Sequence, residues 1–412
     1  MPIPLQVRLG AVVALGMLVG GCTQVQPGDA VRDPGFDATA PVLALLETGN
    51  YPTTPRAPLG NAGTPEKGAI HDAHRMFEHL VFPFDVDPSL TSSGGIGGTG
   101  IMKSPEAAGL YLENKGLVPA IAAHNFVTGI AHSASDGKDA GKRQFLRNAV
   151  LQFRSPEDAT AAAAAIAEST ASRYDEYSKK DTPLTPQPIP RHPDAVGRGY
   201  VSEGEGLTTS YILSAYTAHG PYLLSQTFIS RTSMDAAAEV IANVLDKQIP
   251  EIDKFQPTPY DKLAELPIDP TGLLARMLEP SDKLLMYGGF GPRGLLLFEP
   301  HPIESQKMIA ENGVDFLGYE NGFLIRARDT EGSTKMLDGY IQQYLDDGWS
   351  EADGVPGLPA ARCVEKPVTD KYSRAETWCG APQDRYLLQQ SGAQGVEVRQ
   401  SLSAGYLMLA AK

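Results

Sequence analysis

Cysteine, tryptophan and positive charge are all scarce in this 412-residue chain. It has three Cys, two Trp and 35 Lys plus Arg against 49 Asp plus Glu. With a net charge of −14, the chain has no means of neutralising a run of phosphates, so nucleic acid is excluded as a partner. No apolar run approaches the roughly 20 residues that a helical membrane span needs. Catalytic signatures are missing too. There is no G-x-S-x-G, no H-E-x-x-H, and no combined set of S-x-x-K, S-D-N and K-T-G. What is present is ordinary: 42% hydrophobic and 20% charged residues place the chain among globular proteins. Its length favours two domains, each able to bury its own core.

The first 22 residues read as an address. Arg8 is the one charge ahead of an apolar run, LGAVVALGMLV (Leu9–Val19), which leads into Gly20-Gly21-Cys22. This is the order of a secretory signal, and the apolar run is too short to remain as a span. Leu18-Val19-Gly20-Gly21-Cys22 resembles the lipobox of bacterial lipoproteins. That resemblance implies a diacylglyceryl group on the Cys22 sulfur and cleavage before it. Two acyl chains, at about 0.8 kcal/mol per buried methylene, anchor stably where one does not. Losing residues 1–21 removes Arg8 and no acid, so the net charge would move from −14 to −15. Such a body is repelled by an anionic bilayer. Residues 22–43, rich in Pro, Gly, Asp and Thr, are expected to hold it off as a flexible tether. The expected place is the cell envelope, on the outer face of the plasma membrane.

In that oxidising setting Cys363 and Cys379 are expected to pair as a structural staple worth about 3 kcal/mol. Zinc would need two more ligands, and no His follows His301. The spacing is not the C-x-x-C of a redox pair. No cofactor or metal is expected.

Proline-rich stretches divide the rest. TPLTPQPIPRHP (Thr182–Pro193) reads as a loop, because Pro suits neither a helix interior nor a central strand. Residues 255–271 read as a linker between an N-terminal domain, 44–254, and a C-terminal domain, 272–412, which follows GVPGLP with the two cysteines. Strands alternate with capped amphipathic helices. RNAVLQFR (Arg147–Arg154) is followed by Ser155-Pro156-Glu157-Asp158, a cap and Pro that open a helix expected to reach Tyr174. Further helices are expected at Glu66–Leu80, Ser104–Lys115, Thr232–Gln248, Ile303–Asn312, Thr330–Asp346 and Val396–Leu409. Ala218-His219-Gly220-Pro221 predicts a hairpin between Leu207–Thr217 and Tyr222–Ser230. GGFGP (Gly288–Pro292) predicts another, between Lys283–Tyr287 and Gly294–Phe298. Hairpins and helices together predict an α+β protein of two domains, each an antiparallel sheet with helices on one face.

Few residues suggest chemistry. His71, His74 and Glu78 share a helix face at i, i+3 and i+7, which could present a ligand or metal set. Without H-E-x-x-H, a solvated face is the expectation. His219 sits in a hairpin turn with no paired Ser or Cys, and is expected to serve the turn's backbone hydrogen bonds. Gly95, Gly97 and Gly100 spell G-x-G-x-x-G. They do not join a strand to a helix, and Lys103-Ser104 comes too late for a phosphate loop, so a surface loop is expected. Glu203, Glu205 and Asp346-Asp347 read as solvated acids, and Trp349 and Trp378 as packing residues.

LLETGNYPTTPR (Leu45–Arg56), FPFDVDPSL (Phe82–Leu90), TAHGPYLL (Thr217–Leu224) and the late cysteine pair complete a pattern. With its lipobox, the chain resembles a family of actinobacterial envelope lipoproteins, found in mycobacteria, nocardiae and rhodococci, that are built of two domains of unknown function. The resemblance implies a lipid-anchored envelope protein and supplies no catalytic residues. The expected role is non-enzymatic, binding an unknown ligand or envelope partner. The alternatives are an envelope hydrolase using the His71/His74/Glu78 face or His219, and a plain spacer.

Overall fold

The computed structural model describes residues 40–93, 98–139, 142–175, 180–203, 208–368 and 374–411. Cys22, the signal and most of the tether lie outside the described residues, as do Glu205 and residues 94–97 of the glycine-rich run. Among the described residues no helix is long and apolar enough to cross a membrane.

The first half opens with helices α1 (Pro65–Met76) and α2 (Pro83–Val86), then strands β1 (Ser92–Ser93) and β2 (Gly100–Met102). Helices α3 (Pro105–Tyr111) and α4 (Val118–Ala122) precede the long strands β3 (Phe126–Ser135) and β4 (Phe145–Phe153). After α5 (Pro156–Ser169) come β5 (Ser172–Asp175), β6 (Lys180–Pro183), β7 (Thr185–Pro186), β8 (Val196–Ser202), β9 (Ser210–His219) and β10 (Tyr222–Ser230), then α6 (Met234–Ile252). An antiparallel sheet runs β1-β3-β4-β10-β9-β8-β7, with β2 beside β3, and β5–β6 form a separate ribbon. Ser104, Ser155 and Ser233 each cap their helix by accepting a backbone N–H, as the sequence signals. The Pro-rich Thr182–Pro193 stretch contributes to β6 and to β7 at the sheet edge, where a missing donor costs nothing.

The second half holds β11 (Gly288–Phe290), α7 (Pro292–Leu295), α8 (Pro302–Glu311), β12 (Phe316–Glu320), β13 (Gly322–Arg326), α9 (Thr330–Asp346), β14 (Ser350–Ala352), β15 (Arg362–Lys366), β16 (Glu376–Gln383), β17 (Tyr386–Gly392) and α10 (Gly395–Ala410). Its antiparallel sheet runs β11-β12-β13-β17-β16-β15-β14. Cys363 and Cys379 face each other across β15 and β16 and form a disulfide. The α+β architecture of two antiparallel sheets is therefore the one expected.

Helices, however, cover both faces of each sheet and not one. In β4, Ala149, Leu151 and Phe153 pack toward α5, while Leu146 and Val150 pack toward the core that α1 and α6 share. In the second sheet, Ile325 and Trp378 meet α9, whereas Leu388 and Cys379 meet α10. The core between α1, α6, α8 and α9 is continuous through both halves.

Asn148 and Gln152 of β4 are polar but buried. Asn148 donates to the Val81 carbonyl at 2.8 Å and to Gln248 Oε1 at 2.7 Å, and accepts from Gln226 Nε2 at 3.0 Å. Gln248 in turn donates to the His79 carbonyl and accepts from Val81 N–H. These amides satisfy the backbone of the segment leaving α1 and fix it between β4 and α6.

Two local expectations fail for tertiary reasons. The helix opened at Ser155 stops at Ser169, with the Thr170 hydroxyl bonded back to Ile166, and Ser172 begins a strand. The GGFGP hairpin is absent. Gly288–Phe290 is itself the edge strand, and the expected strand Gly294–Phe298 is helical. Pro292 occupies the first helical position there, and a carboxylate from α1's C-terminal extension caps the turn.

Residues 255–271 are not a free connector. Asp72 of α1 accepts from the N–H and hydroxyl of Thr258. Gly68 of α1 lies so close to the Leu263 carbonyl that a Cβ would stand 2.0 Å from its oxygen. Near the other end, Val42 donates to Gly357 and Arg56 to Ala275, placing this stretch against the second half.

Replacing Asn148 with Leu leaves the Val81 carbonyl and two glutamine side chains short of partners in a dry site. Urea unfolding should show a loss of about 3 kcal/mol, whereas Thr160→Ala on exposed α5 should change stability by less than about 0.5 kcal/mol.

Candidate functional site

Helix α1 and the turn after it present one face to the second sheet, and a cavity of about 640 Å³ opens along that line. One wall is His71, His74, Arg75, Glu78 and His79, continued by Lys254, Phe255 and Gln256 after α6. The opposite wall is Gly289, Phe290 and Gly291 of β11 and its exit, with Asp315, Phe316 and Arg326. Residues 266–271 and Leu274 close a third side. Volume and lining fall in the range of small-molecule sites: apolar and aromatic walls with a few polar groups.

His71, His74 and Glu78 thus come together at the cavity, but their face is not the solvated one expected. His74 is buried, donates from Nε2 to the Leu285 carbonyl at 2.8 Å, and packs on the Phe290 ring with centroids 4.6 Å apart. Burial pushes its pKa down to about 3, so the imidazole is neutral and Nδ1 is left as an acceptor. His71, 5.8 Å away ring to ring, is also pushed down by burial. Glu78 accepts from the backbone N–H of Gly294 at 2.7 Å and of Arg293 at 3.2 Å. Burial raises its pKa, and those two bonds and the Arg293 charge oppose the rise.

The close approach depends on glycine. A Cβ on Gly288 would stand 2.6 Å from the His74 ring, and one on Gly291 would stand 2.5 Å from the Glu78 carboxyl carbon. The glycines that read as turn residues are therefore contact residues. Arg293 strengthens the joint by donating to the Leu80 carbonyl and pairing with Asp85 at 2.7 Å.

The cations lining the cavity are already partnered. Arg75 pairs with Asp72 and donates to Thr258 and Gln256, Lys254 pairs with Glu251, and Arg326 pairs with Asp315 at 2.6 Å. Arg75 also lies 5.4 Å over the Phe255 ring. The interior therefore offers neutral imidazoles and phenyl rings instead of a free charge. Among the described residues no three His, Cys, Asp or Glu side chains are grouped to hold a metal. With Nε2 of His74 and both Glu78 oxygens committed to backbone groups, these side chains position and orient rather than activate.

His219 lies elsewhere, at the end of β9. It does not serve the turn's backbone: Nε2 pairs with Asp253 at 2.6 Å, fastening the hairpin to the end of α6. Glu203 is exposed, and Asp347 pairs with His301 at 2.9 Å. The residues that sequence reasoning missed are the apolar ones, Phe255, Ile268, Phe290 and Phe316. Their only advance sign was the clustering of Pro and Gly in the segments that carry them.

Two family profiles match the sequence. The N-terminal domain of unknown function DUF7373 covers residues 59–268 and the C-terminal domain of the same description covers residues 273–412. No curated protein matches. Among solved structures, the crystal structure of the extracellular domain of PknH from Mycobacterium tuberculosis aligns at 15% identity and a TM-score of 0.29. The alignment covers 41% of this chain and 92% of that one.

The buried histidines set a pH dependence. A group whose pKa is depressed in the folded state, as His74 is to about 3 and His132 to about 4 from 6.5, stabilises above 6.5. That stability is lost as the pH falls toward the folded value. Glu78 acts oppositely: its raised pKa favours the fold below about 4.5, and that contribution fades as the pH rises through the raised value. Unfolding free energies of His74→Gln should therefore fall less steeply between pH 6 and 4 than those of the wild type, by up to about 1.4 kcal/mol per pH unit. Equal slopes would show that His74 is not buried as a neutral ring.

Proposed function

The chain belongs to the family of the paired DUF7373 domains, and from that premise we propose that it is a non-enzymatic ligand-binding protein of the cell envelope, held to the membrane by lipid on Cys22. The observation that carries the binding part is the cavity beside α1. It is large enough for a small molecule, walled by Phe255, Phe290, Phe316 and Ile268, and its cations already have partners. Such a lining favours an uncharged, mainly apolar ligand. Burying apolar area supplies the affinity, and the His71 ring offers an acceptor for a hydroxyl or N–H. Export is supported by the signal-like first 22 residues and by the Cys363–Cys379 disulfide, which is at home in an oxidising compartment.

The binding reading is tested with the neutral fluorophore N-phenyl-1-naphthylamine. Saturable binding should weaken at least tenfold in Ile268→Glu, which puts a charge in the apolar wall, and should be unchanged in His219→Ala. Equal binding by wild type and Ile268→Glu would remove the cavity from the account.

Anchoring is tested separately by growth with a labelled fatty acid. Wild type should take up label that Cys22→Ser does not.

A further inference from the structure

A second and smaller cavity, about 80 Å³, lies at the far end of the second sheet. Helix α9 places Tyr340, Gln343, Tyr344 and Asp347 along it at i, i+3, i+4 and i+7, one continuous face. Trp378 of β16 stands beside them, its ring centroid 6.0 Å from Tyr340 and 5.1 Å from Tyr344. Phe298 and Phe323, 5.3 Å apart, close the other side. Five aromatic rings thus surround a space too small for a whole metabolite.

At its base is Glu299, 8% exposed. Its Oε1 accepts from the Tyr340 hydroxyl at 2.7 Å and its Oε2 from the Ser305 hydroxyl at 2.7 Å. Among the described residues no cationic side chain lies within ion-pair distance of it. His301, the nearby basic group, is turned to Asp347. Burial raises the Glu299 pKa against the pull of its two hydroxyl donors, and a positive charge brought beside it would restore the ionised form. The two neutral hydroxyls do not supply that charge, and each oxygen retains a lone pair. Aromatic faces attract cations through their quadrupoles, best when the cation is dehydrated. A carboxylate inside a ring of aromatic faces is the arrangement that binds an organic ammonium.

We infer that this pocket is a binding site for an alkylammonium group, in which the cation sits among Tyr344, Trp378, Phe298 and Phe323 and neutralises Glu299. The group could belong to a free small amine or to the end of a lysine side chain on a partner. This site shares no lining residue with the cavity beside α1, and its ligand has the opposite character, so each can fail without the other.

The full chain is titrated with choline, with n-butylammonium and with 3,3-dimethyl-1-butanol, the neutral isostere of choline, by calorimetry and Trp emission. Choline or n-butylammonium should bind saturably at millimolar or lower concentration, and the neutral isostere at least tenfold more weakly. A preference for choline assigns a free quaternary amine. A preference for n-butylammonium assigns a lysine end.

Glu299→Gln keeps an acceptor for Tyr340 and should reduce cation affinity at least tenfold with the melting temperature little changed. If that variant does not fold, Tyr344→Leu, which removes one half-buried wall, carries the same test. The inference is overturned if neither cation binds, if the neutral isostere binds as well as choline, or if a folded Glu299→Gln or Tyr344→Leu binds cations like the wild type.

Discussion

The cavity beside α1 exists because one short stretch, His74 to Leu80, is held from both sides. From the first half, Gln248 and Asn148 take up the backbone groups of His79 and Val81. From the second, Gly294 and Arg293 donate to Glu78, and the Leu285 carbonyl accepts from His74. The stretch therefore cannot shift toward one sheet without abandoning the other. Each contact is individually worth about 1 kcal/mol, but leaving its buried partners unsatisfied costs more than forming it gains. The two sheets are registered against each other by this mutual dependence and not by apolar packing alone.

The same constraint explains the neutrality of the site. A cation or carboxylate free to meet a ligand would first have to be kept dry and unpaired, which folded chains avoid. Here every cation at the cavity has found an acid or a carbonyl, and burial has driven all three histidines toward the neutral form. What remains facing inward is surface on which water binds weakly. The small pocket at α9 resolves a similar problem differently. There the acid is kept among rings and takes two hydroxyl donors while burial raises its pKa.

Much of the scaffold was legible in the amino-acid order. The hairpin around His219-Gly220, the span of α9 from Thr330 to Asp346 and the capped start of α5 follow from local rules of turns, caps and periodicity. What depends on partners far along the chain was not legible. The burial of Asn148 is explained only by Gln226 and Gln248, which lie against it. Gly294–Phe298 is a short apolar run that reads as a buried strand, yet it is wound into a turn by Glu78, some 215 residues earlier in the sequence. The face of His71, His74 and Glu78 was visible as a face. That it docks rather than meets water depends on Gly288 and Gly291, whose spacing reads equally well as a hairpin turn. The apolar lining was not legible, because Phe255 and Phe290 lie in an irregular and an edge segment, and Phe316 begins a five-residue strand too short for periodicity to show its face.

The bonding of residues 42–56 has a mechanical consequence. Val42 is bonded to Gly357 and Arg56 to Ala275 and Glu320, all in the second half. A pull applied ahead of residue 42 therefore enters the molecule in the second half, and it reaches the sheet containing β4 and β10 through α1 and the core that both halves share. Such a pull would be felt first as shear between the two halves along α1.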